Sequence, residues 1–311
     1  MEYGTGKYLY KLIDGWAPKE LSSIDVSGLY IDHQDKVYVL NRGTCSILVF
    51  DREGNILNSW GEGFFKRVHG CCIGPTGCIY CADDGNHTVS KFNQEGELLQ
   101  VLGKQDQPSD TGYRRKSTFF ESLSTIKRSG PPFNRPTGIA LSSKGEIYIS
   151  DGYGNARVHK FTPEGVLLFS WGEPGSAPGQ FRLPHSIWVD KNDRVWVIDR
   201  ENNRLQIFNA QGGFISQWTD LNRPTDIYID NEETVYISEL IGRISIFSID
   251  GKLLARWGSE GEKDKNALFL APHAITVDSH GDLYIGEVSM TQTGIDRGSK
   301  TVQKFEKKAL F

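Results

Sequence analysis

FRLPHSIWVDKNDRVWVIDREN, residues 181–202, is one copy of a motif that recurs six times along this 311-residue chain. Two short runs, SIWV and RVWVI, are apolar between polar turns, and elsewhere in the repeats apolar and polar positions alternate, as in LQIF and ISIF, the period of a β-strand. A polar turn, Asp190 to Asp193, lies between them. A third run follows at LQIF (205–208) and a fourth at FISQW (214–218). The other copies are IDVSGLYIDHQDKVYVLNRG (24–43), FKRVHGCCIGPTGCIYCADDG (65–85), FNRPTGIALSSKGEIYISDGYG (133–154), LNRPTDIYIDNEETVYISELIG (221–242) and FLAPHAITVDSHGDLYIGEVSM (269–290). Self-similarity at about 40–45 residues is the mark of a propeller or an array. A sheet of four short strands cannot bury both faces alone, so such sheets pack side by side around a channel. The expected fold is all-β, a six-bladed β-propeller.

The sixth copy stops at Phe311 after its third strand, VQKF. A strand-like stretch at the other end, YLYKLIDGW (8–16), supplies the missing outer strand. The N-terminal strand is therefore expected to close the last blade. Residues 1–311 read as a single propeller domain. One segment breaks the rhythm: QDQPSDTGYRRKSTFFESLSTIKRSGPP (105–132), an insertion between blades two and three. Long loops on a rigid scaffold commonly carry function. The recurring Trp60, Trp171, Trp218 and Trp257 of the fourth strands read as packing between blades.

Repeat register singles out one position. Where each copy opens stand Ser27, His69, Thr137, His185, Thr225 and His273. Six blades in a ring sit about 60° apart, so the histidines of alternate blades are about 120° apart. Three imidazoles converging on one axis make a trigonal metal site with an open fourth position, as catalytic zinc requires. In an antiparallel blade the end of the second strand lies at the same end as the start of the first. Arg42, Tyr153 and Arg200 therefore share that face, with the acids Asp83, Asp84, Asp151, Asp199, Glu239 and Glu287. Carboxylates there can orient the histidines or, more simply, cap the turns. The arginines can grip a substrate carboxylate or pair with neighbouring acids. Tyr153 is a candidate acid or base.

The bulk numbers exclude other classes. The net charge of −4 and a pI near 6.0 argue against nucleic acid or an anionic membrane as partner. No apolar run approaches the length of a membrane helix, and MEYGTGKYLYKLIDGW carries no signal-peptide pattern. The expectation is a cytoplasmic monomer. Cys45, Cys71, Cys72, Cys78 and Cys81 then read as reduced thiols. The C-x-x-C spacing of Cys78 and Cys81 falls in a predicted strand, where residues three apart face opposite ways.

These residues carry a family resemblance. The repeats resemble NHL repeats, and the chain resembles the peptidyl-α-hydroxyglycine α-amidating lyases from about residue 24 onward. The likeness is sharpest in ISDGYGNARVHKF (149–161), PHSIWVDKNDRVWVIDRENNRLQIF (184–208) and APHAITVDSHGDLYIGE (271–287). It implies a catalytic zinc on His69, His185 and His273, a catalytic Tyr153 in the D-G-Y-x-N-x-R motif, and active-site arginines at Arg42 and Arg200. It also implies a structural calcium, but Ala274 stands where that family has an aspartate ligand. The expected activity is cleavage of the C–N bond of an N-acyl α-hydroxyglycine to an amide and glyoxylate. Two alternatives stay open: a metal-dependent hydrolase or lyase on another small hydroxylated acid, and a non-catalytic NHL scaffold.

Overall fold

The computed structural model describes residues 1–18, 21, 24–262 and 264–308, so Phe311, where the sixth copy ends, lies outside the described residues. The described residues are nearly all β, in six propeller blades, each an up-and-down antiparallel sheet. The chain divides into two compact units, Phe64–Pro224 and Met1–Gly63 with Thr225–Phe311.

The first unit holds blades two, three and four. Blade two runs Val68–Ile73, Ile79–Asp83, Thr88–Phe92 and Leu98–Gly103; blade three runs Pro136–Leu141, Ile147–Asp151, Arg157–Phe161 and Leu167–Trp171. Blade four runs Pro184–Val189, Val195–Asp199, Arg204–Phe208 and Phe214–Trp218. The second strands are buried on both faces, whereas the outer strands are largely exposed. Between blades three and four, Trp171 packs on Phe208 with ring centroids 5.8 Å apart, so this tryptophan does join neighbouring blades. The strand of blade two begins at Ile79, so Cys78 precedes it. Among the described residues no disulfide links the five cysteines. Burial pushes the Cys72 and Cys81 thiols up from their ordinary range, which keeps them protonated.

In the second unit, blade one runs Val26–Ile31, Val37–Asn41, Ile47–Phe50 and Ile56–Trp60, and blade five runs Pro224–Ile229, Thr234–Glu239, Arg243–Ser248 and Leu253–Gly258. Blade six takes Pro272–Val277, Leu283–Glu287 and Val302–Lys307 from the end of the chain. The N-terminal strand Tyr8–Ile13 pairs antiparallel with Val302–Lys307, Leu12 opposite Phe305. Blade six is thus closed as expected. A further short strand, Glu2–Thr5, adds to its edge.

Local chemistry explains the motif. The turn joining the first two strands ends on a left-handed residue in every blade: Asp35, Gly77, Gly145, Asp193, Glu233 and Gly281. Glycine adopts that conformation without strain. The turn's first residue holds it closed where it is aspartate: Asp190 Oδ1 accepts from the backbone N–H of Asn192 and Arg194, and Asp278 repeats the arrangement. The acids ending the second strands are structural too. Asp83 accepts from the backbone of Lys66 and Arg67, Asp199 from Arg182 and Leu183, and Glu287 from Leu270 and Ala271. Each carboxylate ties the loop entering its own blade.

Candidate metal and catalytic site

The histidines stand at a deliberate irregularity. In blades one, three, four and six the ladder between the first two strands skips one residue, Ser27, Thr137, His185 or His273, and in blade two it skips His69 together with Gly70. A bulge bends the strand and re-aims its side chain. Threonine in this place bonds to the next blade: Thr137 Oγ1 donates to Pro184 O at 2.7 Å, and Thr225 Oγ1 to Pro272 O at 3.0 Å.

His69 and His273 do the same through Nδ1. His69 Nδ1 lies 2.7 Å from Thr137 O, and His273 Nδ1 lies 3.0 Å from Ser27 O. A carbonyl only accepts, so Nδ1 carries the proton and Nε2 presents a lone pair, the form a metal needs. The orienting partners of these two rings are backbone carbonyls, where carboxylates had been one expectation. Gly70 makes the first contact possible, since a Cβ there would lie 2.3 Å from Thr137 O. All three histidines are buried, and within the unit Phe64–Pro224 the rings of His69 and His185 lie 4.8 Å apart, centroid to centroid. Neutral imidazoles suit zinc. The calcium position does not fit: Ala274 is packed among Val26, Leu29, Tyr284 and Val302 and offers no side-chain oxygen.

In the unit Phe64–Pro224, Tyr153 joins two of these histidines. Its hydroxyl is 2.9 Å from His69 Nε2 and 3.0 Å from His185 Nε2. The preceding Gly152 is required by close approach, because a Cβ there would lie 2.2 Å from Pro184 O. Arg200 is buried, and its Nη1 reaches the Tyr153 hydroxyl at 3.4 Å. Arg200 Nε also donates to Glu201 at 2.8 Å, and Arg223 meets the same carboxylate at 2.9 Å. Burial alone would raise Glu201; the two guanidiniums hold it below its ordinary value.

The insertion covers Tyr153. Its short helix, Phe119–Leu123, opens on a capping box between Thr118 and Glu121. Leu123 and Ile126 form one apolar cluster with Tyr153 and Leu183. Phe119 sits edge-on to Tyr153 at 5.9 Å, and Arg200 lies over the Phe119 ring at 5.2 Å.

Arg42 belongs to the other unit, where Nη1 donates to Asp25 at 3.1 Å and to Thr291 at 2.9 Å. Both expected arginines are therefore ion-paired. Sequence reasoning missed three more. Arg67 and Arg135 lie 5.5 and 5.3 Å from the Tyr153 ring centroid, and Arg223 lies over Phe120. Each precedes the histidine register by two residues, in the bend that enters its blade. That column, read down the repeats as Asp25, Arg67, Arg135, Leu183, Arg223 and Ala271, was the available signal.

Among the described residues no helix is long and apolar enough to cross a membrane. The NHL repeat family profile matches residues 133–161 and 181–208. NHL repeat-containing protein 3 of Mus musculus is 30% identical over 292 residues, covering 86% of this chain and 75% of that protein. Peptidyl-alpha-hydroxyglycine alpha-amidating lyase 1 of Drosophila melanogaster is 30% identical over 178 residues, 53% of this chain and 29% of that protein. Among solved structures, XC5397 from Xanthomonas campestris, described as a gluconolactonase, matches with a TM-score of 0.65 over 98% of this chain and 94% of that one. At 12% identity that likeness speaks for the fold alone. This chain belongs to the family of NHL-repeat β-propellers that includes NHL repeat-containing protein 3.

Proposed function

We propose that this chain is a zinc-dependent carbon–nitrogen lyase that splits an N-acyl α-hydroxyglycine into an amide and glyoxylate. The observation that carries the reading is the Tyr153 hydroxyl, 2.9 and 3.0 Å from the Nε2 atoms of His69 and His185 and within 3.4 Å of Arg200. A zinc on His69, His185 and His273 would supply Lewis acidity toward the substrate hydroxyl. Tyr153 takes the hydroxyl proton and returns it to the leaving amide nitrogen. The C–O bond becomes the carbonyl of glyoxylate as the C–N bond breaks, so protons balance. Arg200 holds the carboxylate and the charge that develops beside it, with Arg42 as the second candidate for that task. The buried setting strengthens each of these interactions.

The named lyase relative also supports this reading. The second reading, a non-catalytic scaffold, draws support from the pairing of Arg42 with Asp25 and Arg200 with Glu201. The test is incubation of the zinc-supplemented protein with α-hydroxyhippurate. Equimolar benzamide and glyoxylate are expected. Turnover of a lactone or a ureido acid instead would point to a hydrolase or lyase of different substrate. No turnover of any of them, with metal bound, would favour the scaffold.

A further inference from the structure

Tyr153 is faced by more positive charge than a single substrate carboxylate needs. Besides Arg200, the guanidiniums of Arg67 and Arg135 both lie against its ring. These two share one counter-ion. Asp84 Oδ2 accepts from Arg67 Nη1, and Asp84 Oδ1 accepts from Arg135 Nη2 at 2.9 Å. Asp84 is fully buried, and although burial would raise its carboxyl, the two arginines hold it below the ordinary range. The trio therefore carries two positive charges and one negative. Neighbouring Asp83 does not supply the missing anion. Its oxygens are turned to the backbone N–H groups of Lys66, Arg67, Gly85 and Asn86.

The arginines are also fixed and reachable. Arg135 gives Nη1 to Tyr113 of the insertion at 2.8 Å and holds a left-handed backbone, φ 67°. Such strain in a non-glycine residue persists only where its surroundings enforce it. Arg67 uses Nη1 on Asp84 and keeps Nε and Nη2 as donors, with 31% of its side chain open to solvent. A planar fork with donors to spare suits a carboxylate.

We propose that Arg67 and Arg135, bridged by Asp84, form a second carboxylate-binding subsite beside Tyr153. The preferred substrate is then a dianion, an N-acyl α-hydroxyglycine whose acyl group carries its own carboxylate. The substrate class rests on the lyase reading; the subsite does not. One carboxylate meets Arg200 and the other meets Arg67, with the Tyr153 hydroxyl between reacting groups.

The test pairs two inert ligands, hippurate and 4-carboxyhippurate, measured by titration calorimetry on the zinc-supplemented protein. The dianion should bind at least about tenfold tighter, the worth of one charge-assisted hydrogen-bonded contact. In Arg67→Gln the ratio should fall to about twofold or less, and Arg67→Lys should keep part of it. Equal affinities in the unaltered protein, no binding of 4-carboxyhippurate at millimolar concentration, or an undiminished ratio in Arg67→Gln would each overturn the subsite. The corresponding α-hydroxy compounds are then assayed for glyoxylate. If the binding preference holds but neither compound is cleaved, the lyase reading fails and the subsite stands. If α-hydroxyhippurate is cleaved and no preference exists, the reverse is true.

Discussion

A protein lacking residues 1–17 shows no cooperative unfolding transition, or a midpoint lowered by many degrees. The deletion removes Tyr8–Ile13 from the edge of Val302–Lys307 and leaves the backbone groups on that edge unpaired. It also empties the core on both sides. Tyr8, Tyr10 and Trp16 are at most 6% exposed. Tyr10 stacks on Trp257 at 5.6 Å, and Trp16 packs against Phe50 and Tyr284 and donates from Nε1 to Arg52 O. Loss of one buried aromatic side chain costs about 3–5 kcal/mol. Three such losses rival the entire stability of a typical domain, about 5–15 kcal/mol. An open strand edge adds a route to aggregation. Thermal unfolding followed by circular dichroism reads the outcome; an unchanged midpoint in the truncated chain would refute closure by the N-terminal strand.

Tyr153→Phe should lower turnover of α-hydroxyhippurate by about 10²–10⁴-fold, the usual worth of a positioned acid or base. The ring is held by Leu123, Ile126 and Leu183, none of which touches the hydroxyl, so the variant should fold normally. Metal content should be unaltered, because the proposed ligands are the histidines. Steady-state kinetics beside elemental analysis separates the two effects. A variant as active as the unaltered enzyme would remove Tyr153 from the chemistry.

Much of this was legible because repetition turns one-dimensional spacing into position. Period-two alternation gave the strands, and alignment of six copies put His69, His185 and His273 in one register. The same register showed that blade six lacked an outer strand and where its replacement lay. What stayed hidden has physical reasons. The carbonyls of Thr137 and Ser27 that orient two of the rings belong to the backbone, which every residue has, so no side chain announces them. The bulge at the histidine position leaves a count of residues unchanged between copies and shows only in the pairing. Arg67, Arg135 and Arg223 look like ordinary surface cations until the column two residues before the histidines is read as a column. The helix Phe119–Leu123 is too short for a periodic signal, though Thr118 and Glu121 spell its cap.

The most direct measurement is the metal content of the purified protein, unaltered beside His185→Ala. About one zinc, or another transition metal, per chain is predicted for the unaltered protein, with loss in the variant, since two imidazoles hold such an ion far less well than three. An unaltered protein that contains no transition metal, and takes up none when zinc is added, would contradict the three-histidine site and the lyase mechanism built on it.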